Sequence, residues 1–421
     1  MKLLVCLPVI PYPPTDGLRV RTYNLYRELA RRHEVHFFCL SRKGPTREQE
    51  NSLKEAGIGL TVALKPFSSL EEKMQAYTKL LVRGIPAELV LSWEDIIFSN
   101  LRDLEAAHDF DLVVAEHLFM ARYILKLAVP KLLVEHNVEG DLMLALAGRE
   151  KLPARWGKQL SALYFRRYER KLVKKMQGIV AVTKKDAEVF SRIAPDAGVS
   201  VVENGVSCAD YAETAAAPAE PGGRLLFVGL LSWPGNIEAV DWFKRKVLPT
   251  VRRKYQDAAL TVIGSDPSPR ALDLDDGSSV MVKGFVEDVR PYYRESSIMV
   301  VPLLVGGGSR LKILESFAAG TPVVSTSKGA EGLEVENGRH LLIVDTPEDF
   351  ADAVMRLHDD TALYNSLRAS ALELAREKYD WPVLAHKYEA ALTEVARQTH
   401  AGAAGQKSAE GPAETPAEGK R

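Results

Sequence analysis

The sequence predicts an α/β protein built from two doubly wound, Rossmann-like domains. Three observations lead there. Short runs rich in Val, Ile and Leu recur without polar alternation, as parallel strands covered on both faces require. Amphipathic helical stretches separate most of these runs, which is the alternation of βαβ units. The series also restarts after residue 223, downstream of a stretch rich in Ala, Glu, Pro and Gly that reads as a linker.

In chain order, the first series of predicted strands covers residues 3–7, 35–40, 112–115, 131–134, 178–182 and 200–202. The second covers 225–228, 259–263, 280–283, 297–301, 322–325 and 340–344. These runs place one domain at 1–208, a linker at 209–222 and a second domain at 223–378. A helical segment over 379–399, around Trp381, Leu384, Tyr388 and Leu392, is expected to pack back on the first domain. From His400 the chain is polar or small and holds no aromatic, so 400–421 is expected to be disordered: it cannot bury enough apolar surface to offset its ordering entropy.

Composition removes several classes of function. The 421 residues suit two cores rather than one. The net charge of -1 provides no global field for nucleic acid. Cys6, Cys39 and Cys208 are far apart with no CxxC spacing, so neither a disulfide framework nor a zinc site is expected, and a reducing compartment fits. No apolar run approaches the ~20 residues that span a bilayer, and the apolar start is cut short at Pro8, so a cytoplasmic location is expected. One stretch stands apart. Residues 151–175 carry Arg155, Lys158, Arg166, Arg167, Arg170, Lys171, Lys174 and Lys175, interleaved with Trp156, Leu160, Leu163, Tyr164 and Tyr168. It reads either as a helix resting on an anionic membrane surface or as a solvated helix face beside the core.

The segment richest in chemistry runs from Val305 to Val324 and follows an apolar strand. Gly306, Gly307 and Gly308 let backbone amides face a ligand, Ser309 suits an N-cap, 310–319 reads as a helix, and Gly320 ends it. A glycine-rich turn feeding a helix N-terminus is an anion site. Arg310 and Lys312 would sit in the first turn, where cations are mildly unfavourable to the helix unless an anion is bound there. A diphosphate fits a guanidinium and an ammonium. Glu315 shares a stripe with Lys312, which leaves two readings: a carboxylate for a ribose diol, or one half of an i,i+3 ion pair.

This segment resembles the donor site of the retaining GT-B glycosyltransferases of family four, the group-1 glycosyltransferases. Three further stretches are similar to theirs: Val202-Glu203-Asn204-Gly205-Val206, Leu226-Phe227-Val228-Gly229 and Gly284-Phe285-Val286-Glu287-Asp288-Val289. The resemblance implies the GT-B fold, two Rossmann-like domains facing across a cleft, with the acceptor on the first and the nucleotide sugar on the second. It implies transfer of a sugar from a nucleotide-diphosphate donor to a glycan or lipid-linked acceptor, with retention, at the inner face of a membrane and with no separate cofactor or catalytic metal. Glu315 would bond the ribose, Phe285 and Val286 would flank the base, and Arg310 and Lys312 would neutralise the departing diphosphate. The family's usual first Glu is replaced by Gly307, and no cation follows the second domain's first strand. Arg310 and Lys312 are read as replacing that missing pair.

In the first domain, Gly17 follows the first strand and fits the family's donor- or acceptor-facing glycine, with Arg21 one turn on. His136 matches the family's cleft histidine and is the candidate to bond the transferred sugar or orient the acceptor. His117 and Glu139 are further acceptor-side candidates. Asp273 and Asp275 imitate a metal-binding DxD but lie in a polar turn and are read as loop solvation. A sugar-nucleotide epimerase of the same fold, or a non-catalytic nucleotide-sugar-binding subunit, are the competing readings.

Overall fold

A computed structural model describes residues 1–64, 94–148, 154–217, 219–305 and 310–409. The chain divides into two compact units. The first comprises Met1–Ala181, Asp186–Val202 and the chain from His386, and the second comprises Val182–Lys185 and Glu203–Ala385.

The first unit is a seven-stranded sheet in the order β3-β2-β1-β4-β5-β6-β7. Its strands are β1 (Lys2–Leu7), β2 (Glu34–Ser41), β3 (Ile58–Leu64), β4 (Leu112–Glu116), β5 (Lys131–Glu135), β6 (Gly178–Ala181) and β7 (Gly198–Val201). Every pairing is parallel. The apolar runs are continuous because both faces are covered: Leu3 through Leu7 are fully buried. The edge strand β3 is absent from the sequence-based expectation, since Gly59 and Thr61 interrupt its apolar pattern and most of its residues are only half-buried.

The second unit holds a six-stranded parallel sheet in the order β10-β9-β8-β11-β12-β13. Its strands are β8 (Arg224–Val228), β9 (Ala259–Ile263), β10 (Val280–Gly284), β11 (Ile298–Val301), β12 (Val323–Ser325) and β13 (Leu342–Ile343). In each sheet the strand order reverses once, between β1 and β4 and between β8 and β11. Open α/β sheets form their ligand crevices at the carboxyl ends beside such reversals.

Local chemistry sets the helices that follow these strands. Asp16 caps the helix Gly17–Leu29 by accepting from the Arg19 amide at 3.0 Å. Gly320 ends the helix Leu311–Ala319 at φ 73°, a left-handed turn that costs glycine nothing. The loops after β8 and β9 touch so closely that a Cβ on Gly264 would lie 1.7 Å from the Gly229 carbonyl oxygen.

Two boundaries differ from expectation. The stretch 209–222 is no bare tether: it carries the helix Ala212–Ala216, and Tyr211 packs edge-on against Tyr293 in the second core, with ring centroids 5.8 Å apart. Buried Tyr211, Thr214 and Ala215 supply the apolar anchors that its Ala- and Pro-rich composition obscures. The last helix runs from Trp381 to Ala409, past the point where the sequence leads one to expect order to end, because alanine-rich chain favours helix even without aromatic anchors. Among the described residues no helix is long and apolar enough to cross a membrane.

Candidate functional site

In the second unit the helix Leu311–Ala319 follows β11, which stands at the strand reversal of the sheet. Residues Gly306, Gly307, Gly308 and Ser309, expected to form the anion-binding turn, lie outside the described residues. The N-cap position belongs to Arg310, at φ −97° and ψ 42° and with no side-chain cap bond, rather than to Ser309. Both expected cations have partners within the second unit. Partly buried Lys312 donates its Nζ to Asn236 Oδ1 at 3.2 Å and stands 4.1 Å from the centroid of the Phe227 ring. Asn236 is itself fixed by donating to the Leu230 carbonyl at 2.8 Å, so the ammonium is held beside the carboxyl end of β8.

Buried Arg310 reaches the other way. Its Nη2 donates to the Lys328 carbonyl at 2.9 Å and lies 3.9 Å from the Glu331 carboxylate. Glu331 is also paired with Lys328 and with Lys185, the latter at 3.1 Å. The two cations thus bracket the exit of β11, one toward β8 and one toward β12.

Desolvation and the neighbouring Arg310 charge hold the Lys312 ammonium down at about 7, against the partial opposition of Glu315. Such a lysine readily loses its charge unless an anion approaches. Glu315 is not half of a surface ion pair: the Tyr293 hydroxyl donates to its Oε2 at 3.0 Å, and burial pushes the carboxyl up although that hydrogen bond and Lys312 pull it down. Phe285 and Val286 lie beyond Gly284 at the end of the edge strand β10, two strands from β8. The Phe285 ring is exposed, while Val286 packs on the core.

The first unit gathers its candidates at the corresponding reversal. Glu116 and His117 end β4, and Glu135 and His136 end β5. His136 Nε2 stands 3.6 Å from Glu116 Oε2. The other Glu116 oxygen accepts from Tyr26 at 2.8 Å and from Tyr388 at 3.5 Å, and those two hydroxyls lie 2.7 Å apart. Burial lowers the His136 pKa, Glu116 raises it, and the charges of Arg21 and His117 lower it again. Arg21 is fully buried on the helix that Gly17 opens, so it is not the helix-surface charge its sequence context allowed.

His117 sits at φ 88°, a left-handed conformation that is strained for a side chain with a Cβ. Its Nδ1 lies 3.4 Å from the Phe119 amide and its Nε2 3.4 Å from Glu139 Oε1. Burial acts to raise Glu139, but its bonds from His117 and Asn137 outweigh it and leave the carboxylate below its ordinary range. Glu169, from the helix Ala154–Val173, accepts from the amides of Glu139 at 2.9 Å and Gly140 at 3.2 Å, and so caps the helix Glu139–Ala147. Its carboxyl is nevertheless pushed up to about 7 by burial.

Sequence reasoning chose His136, His117, Glu139 and Arg21 and missed the carboxylates that organise them. Glu116 and Glu135 carried a signal: each is a charged residue closing a buried apolar run, where a carboxylate must find a partner or be raised in pKa. Glu135 shows the second course in its pKa. It is fully buried, neither oxygen has a hydrogen-bond partner among the described residues, and burial together with Glu139, Glu169, Glu116 and Asp186 drives its pKa well up. Asp273 and Asp275 behave as loop residues: Asp275 accepts from the amides of Gly277 at 2.8 Å and Val282 at 2.7 Å.

Comparison with known proteins covers most of the chain. Residues 15–210 match the family model described as Glycosyltransferase Family 4, and residues 222–360 match that of Glycosyl transferases group 1. An uncharacterized 44.6 kDa protein in the cps region of Klebsiella pneumoniae is 29% identical over 165 residues, 37% of this chain and 42% of its own. A GDP-mannose-dependent alpha-(1-6)-phosphatidylinositol monomannoside mannosyltransferase of Mycobacterium tuberculosis is 28% identical over 155 residues, 33% of this chain and 40% of its own. The chain therefore matches less than half the length of these curated relatives. Among solved structures, Anabaena HepE in complex with UDP superposes with a TM-score of 0.64 at 14% identity, covering 94% of this chain and 100% of that one. Sucrose-phosphate synthase from Thermosynechococcus elongatus does so with a TM-score of 0.64 at 15% identity, covering 96% and 100%.

Proposed function

Because the chain belongs to the group-1 glycosyltransferases of family four and has their GT-B fold, we propose that it transfers a sugar from a nucleotide-diphosphate donor to a glycan or lipid-linked acceptor, with retention of configuration. The observation that carries the reading is the pair of cations at the strand reversal of the second sheet, Lys312 on Asn236 and Arg310 on the Lys328 carbonyl. Gly306, Gly307, Gly308 and Ser309, which precede them in the sequence, would supply amides to the diphosphate. As the sugar–phosphate bond breaks, negative charge gathers on the leaving diphosphate. Cations already fixed in a partly dry site lower that barrier without reorganising. Protein cations fill the role, so the reading assigns neither a metal nor a cofactor beyond the donor.

Glu315 would accept from the ribose hydroxyls while Tyr293 holds its other oxygen, and Phe285 and Val286 would flank the base. Gly17, at the start of its helix, would be the donor- or acceptor-facing glycine of the first unit. His136 would bond the transferred sugar, with Arg21, His117 and Glu139 on the acceptor side. A lipid-linked acceptor would be met at the inner face of a membrane. The names of the relatives make uridine and guanosine diphosphate sugars the first donors to try.

The test is incubation with labelled UDP- and GDP-sugars, with and without acceptor lipids, for the wild type and Arg310→Ala. Sugar transfer or slow donor hydrolysis, lost in the variant, supports the reading. A donor that is epimerised, or bound without turnover, defeats it.

A further inference from the structure

We propose that the helix Ala154–Val173 is a docking surface for an anionic lipid bilayer, its first half entering the headgroup boundary and its second half lying on the lipid charges. The helix has two unlike faces. One is anchored: Ala162, Phe165, Leu172 and Val173 are buried in the first core, and Glu169 holds the amides of Glu139 and Gly140. The other carries Trp156, Leu160, Leu163 and Tyr164, which are 70%, 57%, 52% and 45% exposed. The spacing from 156 to 160 to 163 and 164 keeps them on one stripe. Scattered apolar residues on a surface are ordinary, but four large ones contiguous on a single helix face mark an interaction site.

Charge selects the occupant. The same stripe continues as Arg167, Arg170, Lys171 and Lys174, all exposed. From residue 154 to 175 there are eight cations and one carboxylate, and that carboxylate is the buried Glu169. A second copy of this chain would cover the apolar half but leave the cationic half facing its own kind. An anionic bilayer satisfies both, offering a boundary where Trp and Tyr rings settle and phosphates that draw Lys and Arg. Each cation near such a surface strengthens partitioning about fivefold, an attraction that salt screens. The surface is independent of the donor site, so its test can fail while the transferase reading stands, and the reverse.

The full chain is mixed with vesicles of phosphatidylcholine alone, or with about a third phosphatidylglycerol, and sedimented. Binding to the anionic vesicles only, reversed by high salt, is expected. The triple variant Trp156→Ser, Leu160→Ser, Leu163→Ser should lose at least about tenfold in partitioning, and Arg167→Gln, Lys171→Gln, Lys174→Gln about a hundredfold. Donor hydrolysis in solution should be unchanged in both, which also verifies folding. If a variant does not fold, the comparison of the two vesicle compositions in the wild type still decides. Absence of binding to anionic vesicles overturns the proposal, as does equal binding to both compositions. So does a wild-type dimer in light scattering that the apolar variant converts to monomer, since the face would then be a contact between copies.

Discussion

Lys312 should make donor binding depend on pH through a proton taken up with the ligand. Its ammonium is held at about 7 by desolvation and by Arg310, with Glu315 pulling the other way. At about pH 8 such a lysine is about nine-tenths neutral. A diphosphate arriving beside it favours the charged form, so binding at that pH should draw in about 0.9 proton, and at about pH 6 almost none. The sign follows from a base whose pKa is low in the free protein: affinity is fully present below pH 7 and declines as pH rises. The decline approaches tenfold per unit, about 1.4 kcal/mol, until the pKa of the complex is reached. Calorimetry of a nucleotide sugar in two buffers of different ionisation enthalpy reads the proton count directly, because the diphosphate diester does not titrate in this range. Lys312→Met should bind more weakly at every pH and take up no proton. Equal heats in both buffers for the wild type at about pH 8, or the same proton uptake in Lys312→Met, would refute the reasoning.

Three other outcomes follow from the packing. Glu116→Gln should push His136 further down in pKa, because burial, Arg21 and His117 would then be opposed only by the more distant Glu139; histidine ring NMR across pH measures it, and an unmoved His136 contradicts the contact. Glu135, raised well above the carboxylate range and without a hydrogen-bond partner among the described residues, contributes stability that is fully present below the ordinary carboxylate range and is lost as pH rises above it, so Glu135→Gln should flatten the fall of the melting temperature as pH rises from that range; an identical pH dependence in both proteins would contradict the upward shift of its pKa by burial. Gly264→Ala drives a methyl to within 1.7 Å of a carbonyl and should destabilise by about 3 kcal/mol or more, whereas at Gly229 the new Cβ meets side chains only, Lys312 Nζ at 2.7 Å and Asn236 Nδ2 at 2.8 Å, so Gly229→Ala should destabilise less yet displace the Lys312–Asn236 pair and bind donor more weakly.

Much of this arrangement was legible in the chain. β1, β4 and β5 announce themselves because burial on both faces leaves an unbroken apolar run, closed in β4 and β5 by Glu116 and Glu135. Gly320 and the stretch 310–319 read as a helix with its stop because a left-handed terminus selects glycine. β3 escaped because an edge strand has one poorly covered side and tolerates Gly59 and Thr61, and Tyr211 escaped because its partner, Tyr293, lies in a distant helix. The donor-side cations were visible as residue types, but not their partners: Asn236 precedes Lys312 by 76 positions, and Tyr388 follows Glu116 by 272. Pairings across such separations arise from the order of strands in a sheet, which spacing along the chain does not encode. Arg310 illustrates the same limit. Its charge suggested an anion, while its neighbours Lys328 and Glu331 come from the short helix after β12 and its C-terminal end.

The central claim is that Lys312 and Arg310 hold the donor diphosphate. It is tested most directly by comparing the affinity for a nucleotide sugar with that for the parent nucleoside, in the wild type and in folded Lys312→Met and Arg310→Ala proteins. The account predicts that the wild type binds the nucleotide sugar far more tightly, and that each variant loses about 2 kcal/mol or more, roughly thirtyfold, on the nucleotide sugar while its affinity for the nucleoside hardly changes. Variants that keep the wild-type preference for the diphosphate would contradict it.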